Sequence, residues 1–227
     1  MDKGIKHMSL SSELILKQNA LKIRRGIIQA ISANHGGHIG GSLDLADMLA
    51  VVYTDFMRLR LEDPKWEDRD FMIFSKGHAG PALYSALAFA GILPYGKLNH
   101  LNNQDQLLPG HCDRQKVLGV DATTGSLGQG LSIACGVALA AKTRKTDQRI
   151  FCVTGDGESA EGQIWEAAQM AAHYGLDNLI AFLDHNNMQI DGQVKAVMDL
   201  RDPVKKYEAF GWDAVTVKGD DVLNIQK

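Results

Sequence analysis

The residues of this 227-residue chain whose types and spacing point most directly at chemistry are Asp156 and Asn186. Asp156 sits in Gly155-Asp156-Gly157, directly after the apolar run RIFCVT (149–154). Asn186 and Asn187 follow a second apolar run, LIAFLD (179–184). Two short apolar runs joined by a helical pattern read as parallel neighbours in a buried sheet. Parallel strands carry their following loops to one sheet edge, so Asp156 and Asn186 would face one small volume although residues 158–185 lie between them. A carboxylate, an amide oxygen and a backbone carbonyl, which Met188 could supply, suit magnesium. That ion takes few protein ligands and leaves positions for phosphate oxygens. Gly155 and Gly157 would let backbone N–H groups approach a diphosphate, and the helix start near Glu161 adds a positive dipole end. A GDG turn alone is also a plain strand-to-helix turn, and an Asn pair alone is also a plain loop. Their order across one βαβ unit carries the reading.

His38, His78 and His111 each follow a glycine, in GGH, KGH and PGH. Neutral imidazole donates at one nitrogen, accepts at the other and titrates near physiological pH. Such groups serve reactions in which substrate hydroxyls and carbonyls exchange protons. Each histidine could instead only satisfy its own loop. A zinc site built from the three is another option, which no close histidine pair or CxxC supports. The stretch TTGSLGQG (123–130) has the order GxxGxG, not the dinucleotide order GxGxxG, and follows no clear strand, which speaks against a nicotinamide cofactor. It reads as a helix start whose backbone, at Gly125 and Leu127, packs near a flat ring.

These residues need a scaffold, and the hydrophobic spacing supplies one. Residues 12–33 repeat apolar side chains at three and four, as an amphipathic helix does. After the glycine-rich HGGHIGG, Ser42 reads as the N-cap of a second helix, LDLADMLAVVYTDFM, with Asp44 near its positive end. FMIFS (71–75) reads as a buried strand, and a helix follows from about Pro81 to Ala90. Residues 92–122 have little periodicity and read as a long loop, a kind that is often functional. An alanine-rich helix opens between Gly125 and Gly130. The helix between RIFCVT and LIAFLD closes at Gly175. The tail reads as a helix around DPVKKYEAF, a strand WDAVTV, and the first turns of a helix in DDVLNIQK. This order gives an α/β fold of three layers, a mostly parallel sheet between helices, expected as a single domain over 1–227 that is short at its C-terminus. Ligands in such sheets bind beyond the carboxyl ends of the strands.

Bulk composition narrows the function classes. Net charge is −3, which does not suggest nucleic acid or an anionic membrane as a partner. No apolar run reaches the ~18 residues needed to span a bilayer, and the first residues lack the apolar core of a signal peptide. Cys112, Cys135 and Cys152 form no CxxC pair, and their odd number argues against a disulfide framework. The expected setting is the reducing cytoplasm.

The segments GGHIGGSLDLADMLAVVY, FSKGHAGPALYSALAFAG, PGHCD, TTGSLGQGLSIACGVALAAK and GDGESAEGQIWEAAQMAAHYGLDNLIAFLDHNNMQIDG stand in this order. Together they resemble transketolases over roughly residues 10–220, and in particular the separately encoded N-terminal subunits of split transketolases. The resemblance implies a thiamine diphosphate-binding fold with Asp156, Asn186 and the Met188 carbonyl as ligands of magnesium, or of calcium or manganese in its place. It implies Gly155 and Gly157 at the diphosphate, Gly125 and Leu127 near the cofactor rings, and Glu161 in a carboxylate network across a dimer interface. It also implies His38, His78 and His111 around the donor sugar. Ile39 stands where the family has the proline of GHPG. Cys112 and Asp113 replace the proline and glutamate of GHPE, and Ser126 replaces the proline of TTGPLGQG. Each lost proline frees a backbone torsion, which bears on sugar specificity more than on the cofactor site.

The family's pyrimidine-binding domain, with its activating glutamate, has no counterpart in the sequence. The resemblance therefore implies a two-chain active site. A partner chain would carry the second domain, and the assembly would be a dimer or α2β2 complex acting on sugar phosphates. Two other readings stand beside it: a non-catalytic or truncated transketolase-like assembly subunit, and a related thiamine enzyme such as a deoxyxylulose phosphate synthase or a 2-oxoacid dehydrogenase subunit. SKGHAGPALYSAL and PGHCD fit those last families less well.

Overall fold

The structure, a computed structural model, describes residues 11–103, 108–190 and 192–227. The signal-peptide reading of the first residues, and the part of the single-domain expectation covering 1–10, lie outside the described residues.

Helix α1 spans Glu13–Ala33. Ser12 caps it by accepting from Ile15 N, and Glu13 sits in its first turn, where a carboxylate complements the helix dipole. Leu16, Ala20, Ile23, Ile27 and Ile31 form its buried stripe, the spacing read from the sequence. The next helix begins earlier than expected. A short turn α2 covers Gly40–Leu43, α3 covers Ala46–Val51, and a π-helical turn covers Val52–Phe56. Ser42 is thus inside the helical segment and not its N-cap. Its hydroxyl donates back to the His38 carbonyl at 2.8 Å, the i−4 back-bond open to a serine inside a helical segment.

Three strands form the main sheet: β1 (Phe71–Phe74), β2 (Ile150–Gly155) and β3 (Leu179–Asp184). They lie in the order β1-β2-β3 and all pair in parallel, with Phe74 opposite Val153 and Gly155 opposite Asp184. Alternate strand residues face opposite ways, as the strand period of two requires. Met72, Phe74, Phe151 and Val153 pack with α1, α3 and α4 (Gly80–Phe89). Ile73, Ile150 and Cys152 pack with α5 (Gln129–Arg144) and α6 (Gly162–His173). This is the expected three-layer α/β architecture. The alanine-rich face of α5 lets it lie close to the sheet: a Cβ at Gly130 would stand 2.4 Å from Ser75 Cα.

Gly175 (φ +56°) follows α6 as expected of a glycine after a helix C-terminus. Among the described residues, 92–122 hold a 3₁₀ turn, Tyr95–His100, and an isolated bridge between Leu101 and Leu108. After β3 come a small hairpin of β4 (Met188–Gln189) and β5 (Gly192–Gln193), then α7 (Val194–Val197), α8 (Pro203–Ala209) and α9 (Val222–Gln226). The expected strand WDAVTV is not formed: residues 212–217 are irregular and join no strand among the described residues. Alternation of apolar residues describes the two faces of a segment, whereas a strand also needs a hydrogen-bonded neighbour. Here Val215 is 77% exposed.

Candidate functional site

The carboxyl ends of the three strands gather the candidate residues. Asp156 follows β2 and is buried, and its backbone N–H donates to the Asp184 carbonyl at 3.0 Å. Its carboxylate accepts from Gly157 N at 2.7 Å and, across to the other loop, from Asn187 N at 2.6 Å. The GDG turn and the Asn-Asn loop therefore meet, as the parallel register requires. The Asn186 side chain accepts from Met188 N through its oxygen at 2.9 Å. Its nitrogen donates to Asp44 at 3.0 Å and to Asp184 at 3.4 Å. Asn187 has φ +62°, a left-handed conformation that asparagine tolerates better than most residues.

The chemistry of the donor set is compatible with the magnesium reading. Asp156 brings one charge, Asn186 a neutral oxygen, and Met188 lies two residues on in the loop that Asn186 caps. All are oxygen donors of the kind magnesium selects, with a single protein carboxylate. Packing at Gly157 is equally demanding, since a Cβ there would lie 2.8 Å from Gln189 Cγ. These residues fit a magnesium-bound diphosphate. Among the described residues no group of three His, Cys, Asp or Glu side chains is placed to share a metal ion, so the zinc option finds no support.

The histidines converge from three loops onto the same edge. The His38 and His78 rings lie 4.9 Å apart, centroid to centroid. A Cβ on Gly125 would touch the His111 ring at 3.3 Å. His78 is half-buried, whereas His38 and His111 are exposed. Burial, reinforced by the Lys76 charge and by His38 and His111, pushes the His78 pKa down to about 4. His78 is then neutral at physiological pH. Between pH ~6.5 and ~4 the unfolded chain binds the proton that the folded chain refuses. Stability contributed by His78 is therefore complete above pH ~6.5 and is lost as the pH falls toward 4. NMR titration of the His78 ring should show it uncharged at pH 5.5, with the unfolding midpoint declining over the same acid range.

Gly125 and Leu127 are half-buried in the loop leading into α5, and Glu161 is the exposed N-cap residue of α6. A 3₁₀ turn, Glu158–Ala160, separates Glu161 from the GDG turn. Loop and turn are tied by a residue that sequence reasoning missed. Glu158 is buried and accepts from Gly128 N at 2.8 Å, from Gly155 N at 3.0 Å and from the Ser75 hydroxyl. Burial raises its pKa. Lys76 and Asp184 were missed as well. Their positions immediately after the buried runs FMIFS and LIAFL were the available signal, because ionisable residues there must emerge at the ligand edge. Gly77 closes the arrangement, since a Cβ there would lie 2.8 Å from Gly125 N. A concavity of about 310 Å³ lined by Trp66, Arg69 and Phe71 lies at the opposite end of β1 and shares none of these residues.

The family described as "Transketolase, thiamine diphosphate binding domain" matches residues 15–227. A 6-deoxy-6-sulfo-D-fructose transketolase subunit from Clostridium sp. is 44% identical over 213 residues, covering 94% of this chain and 78% of that protein. One of the subunits of an apulose-4-phosphate transketolase from Phocaeicola vulgatus is 38% identical, covering 92% of this chain and 74% of that protein. Among solved structures, the transketolase from Campylobacter jejuni superposes with a TM-score of 0.89 at 32% identity, covering 95% of this chain and 35% of its own. The transketolase from Leishmania mexicana superposes with a TM-score of 0.87, also at 32% identity, covering 96% of this chain and 34% of its own. The chain thus spans about a third of the length of these solved transketolases.

Proposed function

We propose a function from family and site together: the chain belongs to the transketolase thiamine diphosphate-binding domain family, and we read it as the N-terminal, diphosphate-binding subunit of a two-chain, magnesium-dependent transketolase. The observation that carries this reading is the junction of the two loops. The Asp156 carboxylate takes the Asn187 N–H at 2.6 Å, beside three histidines that arrive from separate loops.

Asp156, the Asn186 oxygen and the Met188 carbonyl would hold the cation, with calcium or manganese as substitutes. Gly155 and Gly157 would admit the diphosphate, and Gly125 and Leu127 would lie against the rings. When bound, thiamine diphosphate supplies the carbon centre that takes up and releases a two-carbon ketol unit. His38, His78 and His111 would orient the sugar and exchange protons with its hydroxyls and carbonyl. His78, held neutral, can donate and accept in the same turnover. Glu161 would enter a carboxylate network between subunits. Residues 1–227 would form one domain. A partner chain would supply the pyrimidine-binding domain within a dimer or α2β2 assembly, transferring ketol units from ketose to aldose phosphates. The names of the two similar subunits support the two-chain arrangement. No helix among the described residues is long and apolar enough to cross a membrane. The free, buried Cys112, Cys135 and Cys152 support a reducing cytoplasmic setting.

The test is reconstitution. The purified chain, mixed with a chain carrying the pyrimidine-binding domain, magnesium and thiamine diphosphate, should transfer ketol units between sugar phosphates, and neither chain should do so alone. Tight cofactor binding by the mixture without turnover on any of several ketoses would instead favour the non-catalytic assembly role.

A further inference from the structure

Lys76 is a buried charged residue at this edge without a task in the proposed site. It follows Ser75 at the end of β1, its side chain is 3% exposed, and it pairs with Asp184 at the end of β3, itself 10% exposed. Lysines are almost never this buried unless paired. The end of β2 lies between the partners, since a Cβ on Gly155 would stand 3.7 Å from Lys76 Cδ. A Cβ on Gly41 would stand 3.1 Å from Lys76 Nζ and 3.8 Å from His78 Nε2. One side chain therefore crosses the carboxyl edge of the sheet from β1 to β3, beneath the glycine-rich loop.

What Asp184 does with its pairing oxygen gives this crossing a purpose. The same Oδ2 that takes Lys76 also accepts from Asn186 Nδ2, and Asp44 Oδ2 accepts from that nitrogen too. The Asn186 nitrogen is thus drawn toward two carboxylates, which leaves its oxygen on the other side, bonded to Met188 N. An amide turned the other way would present N–H groups to a cation and repel it. With Asp156 nearby, three carboxylates act on this corner, and Lys76 is the cation set among them.

We infer that Lys76 is a positioning residue: through Asp184 it fixes the Asn186 amide with its nitrogen toward the carboxylates and its oxygen toward the cation position. This rests on the proposed magnesium–diphosphate site. Partners that orient a metal ligand typically carry 10–100-fold of metal affinity.

The double variant Lys76→Met/Asp184→Leu removes the pair without leaving a lone buried charge, a replacement that proteins often accept with no loss of stability. In the full-length chain it should keep the wild-type thermal midpoint. Magnesium-dependent binding of thiamine diphosphate, measured by calorimetry, should weaken about 10–100-fold. The Asn186 side-chain amide signals in ¹H–¹⁵N NMR should shift toward the positions of a solvent-exposed asparagine as the hydrogen bonds to the carboxylates loosen. Lys76→Met alone should show both losses together with a lower midpoint. A double variant that binds as tightly as wild type, or that keeps the wild-type Asn186 signals, overturns the inference and leaves the proposed site standing. A wild-type chain that binds no thiamine diphosphate with magnesium overturns the proposed site and this inference with it.

Discussion

Replacing Asp156 by alanine is expected to abolish magnesium-dependent binding of thiamine diphosphate. The loss should exceed the roughly 100-fold upper range seen when only an orienting partner is removed, because Asp156 is the single carboxylate in the proposed donor set. The side chain has two tasks that alanine would end together. In the proposed site it brings the charge that would hold the cation, and it accepts the N–H groups of Gly157 and Asn187, which pins the two loops to each other. Each of those donors left without a partner would cost about 1–3 kcal/mol if it stays buried. Part of the effect of alanine would therefore be loop disorder. Asp156→Asn separates the tasks, since an amide oxygen still accepts from one N–H group but carries no charge. We expect Asp156→Asn, which keeps one of the two acceptors, to lower the unfolding midpoint less than alanine does and yet to show no magnesium dependence in calorimetry with thiamine diphosphate. Magnesium-dependent binding unchanged in Asp156→Asn would refute the metal assignment.

The convergence of Asp156 and Asn186 was legible in the sequence because both residues directly follow buried apolar runs. Once two such runs are parallel neighbours, strand geometry brings the loops after them to one edge, and the observed pairing of Gly155 with Asp184 does so. The core was legible for a similar reason: the α1 stripe and the strand alternation are each set by a single period. The polar ties between loops were not legible. Nothing in the type or spacing of Glu158 shows that it accepts from Gly128, thirty positions earlier. Lys76 shares a segment with His78, yet its partner Asp184 lies on another strand. Such pairs are fixed by register and side-chain reach, which exist only after folding.

The two local errors have the same origin. Ser42 has the side chain of an N-cap, but the backbone turns helical before it, at Gly40, so its hydroxyl bonds back to His38. WDAVTV has the alternation of a strand, but β3 pairs only with β2 among the described residues. In both cases the side-chain pattern permitted an element that the neighbouring backbone did not complete.

His78→Ala should lower ketol transfer by the reconstituted enzyme about 10²–10⁴-fold, the range a positioned proton-transfer group contributes, with little change in cofactor binding. Two features separate His78 from a loop-capping residue. Its ring faces His38 at 4.9 Å and lies beside the Lys76 ammonium, so that burial and positive neighbours keep it uncharged. A histidine serving only to hold its loop would have no need of that enforced neutrality, which destabilises the fold in acid. A neutral imidazole can release a proton to a developing alkoxide and recover one from a hydroxyl within one cycle. His78 also makes none of the contacts that hold Asp156 or Asn186, which is why cofactor binding should survive its removal. The prediction is therefore a split: kcat falls by orders of magnitude, while calorimetry with magnesium and thiamine diphosphate stays close to wild type. His78→Gln, which keeps hydrogen-bonding capacity but cannot accept a proton at these pH values, should recover loop stability without recovering kcat. Full activity in His78→Gln would show that the side chain acts through hydrogen bonding alone, and the assignment of proton transfer to His78 would then fail.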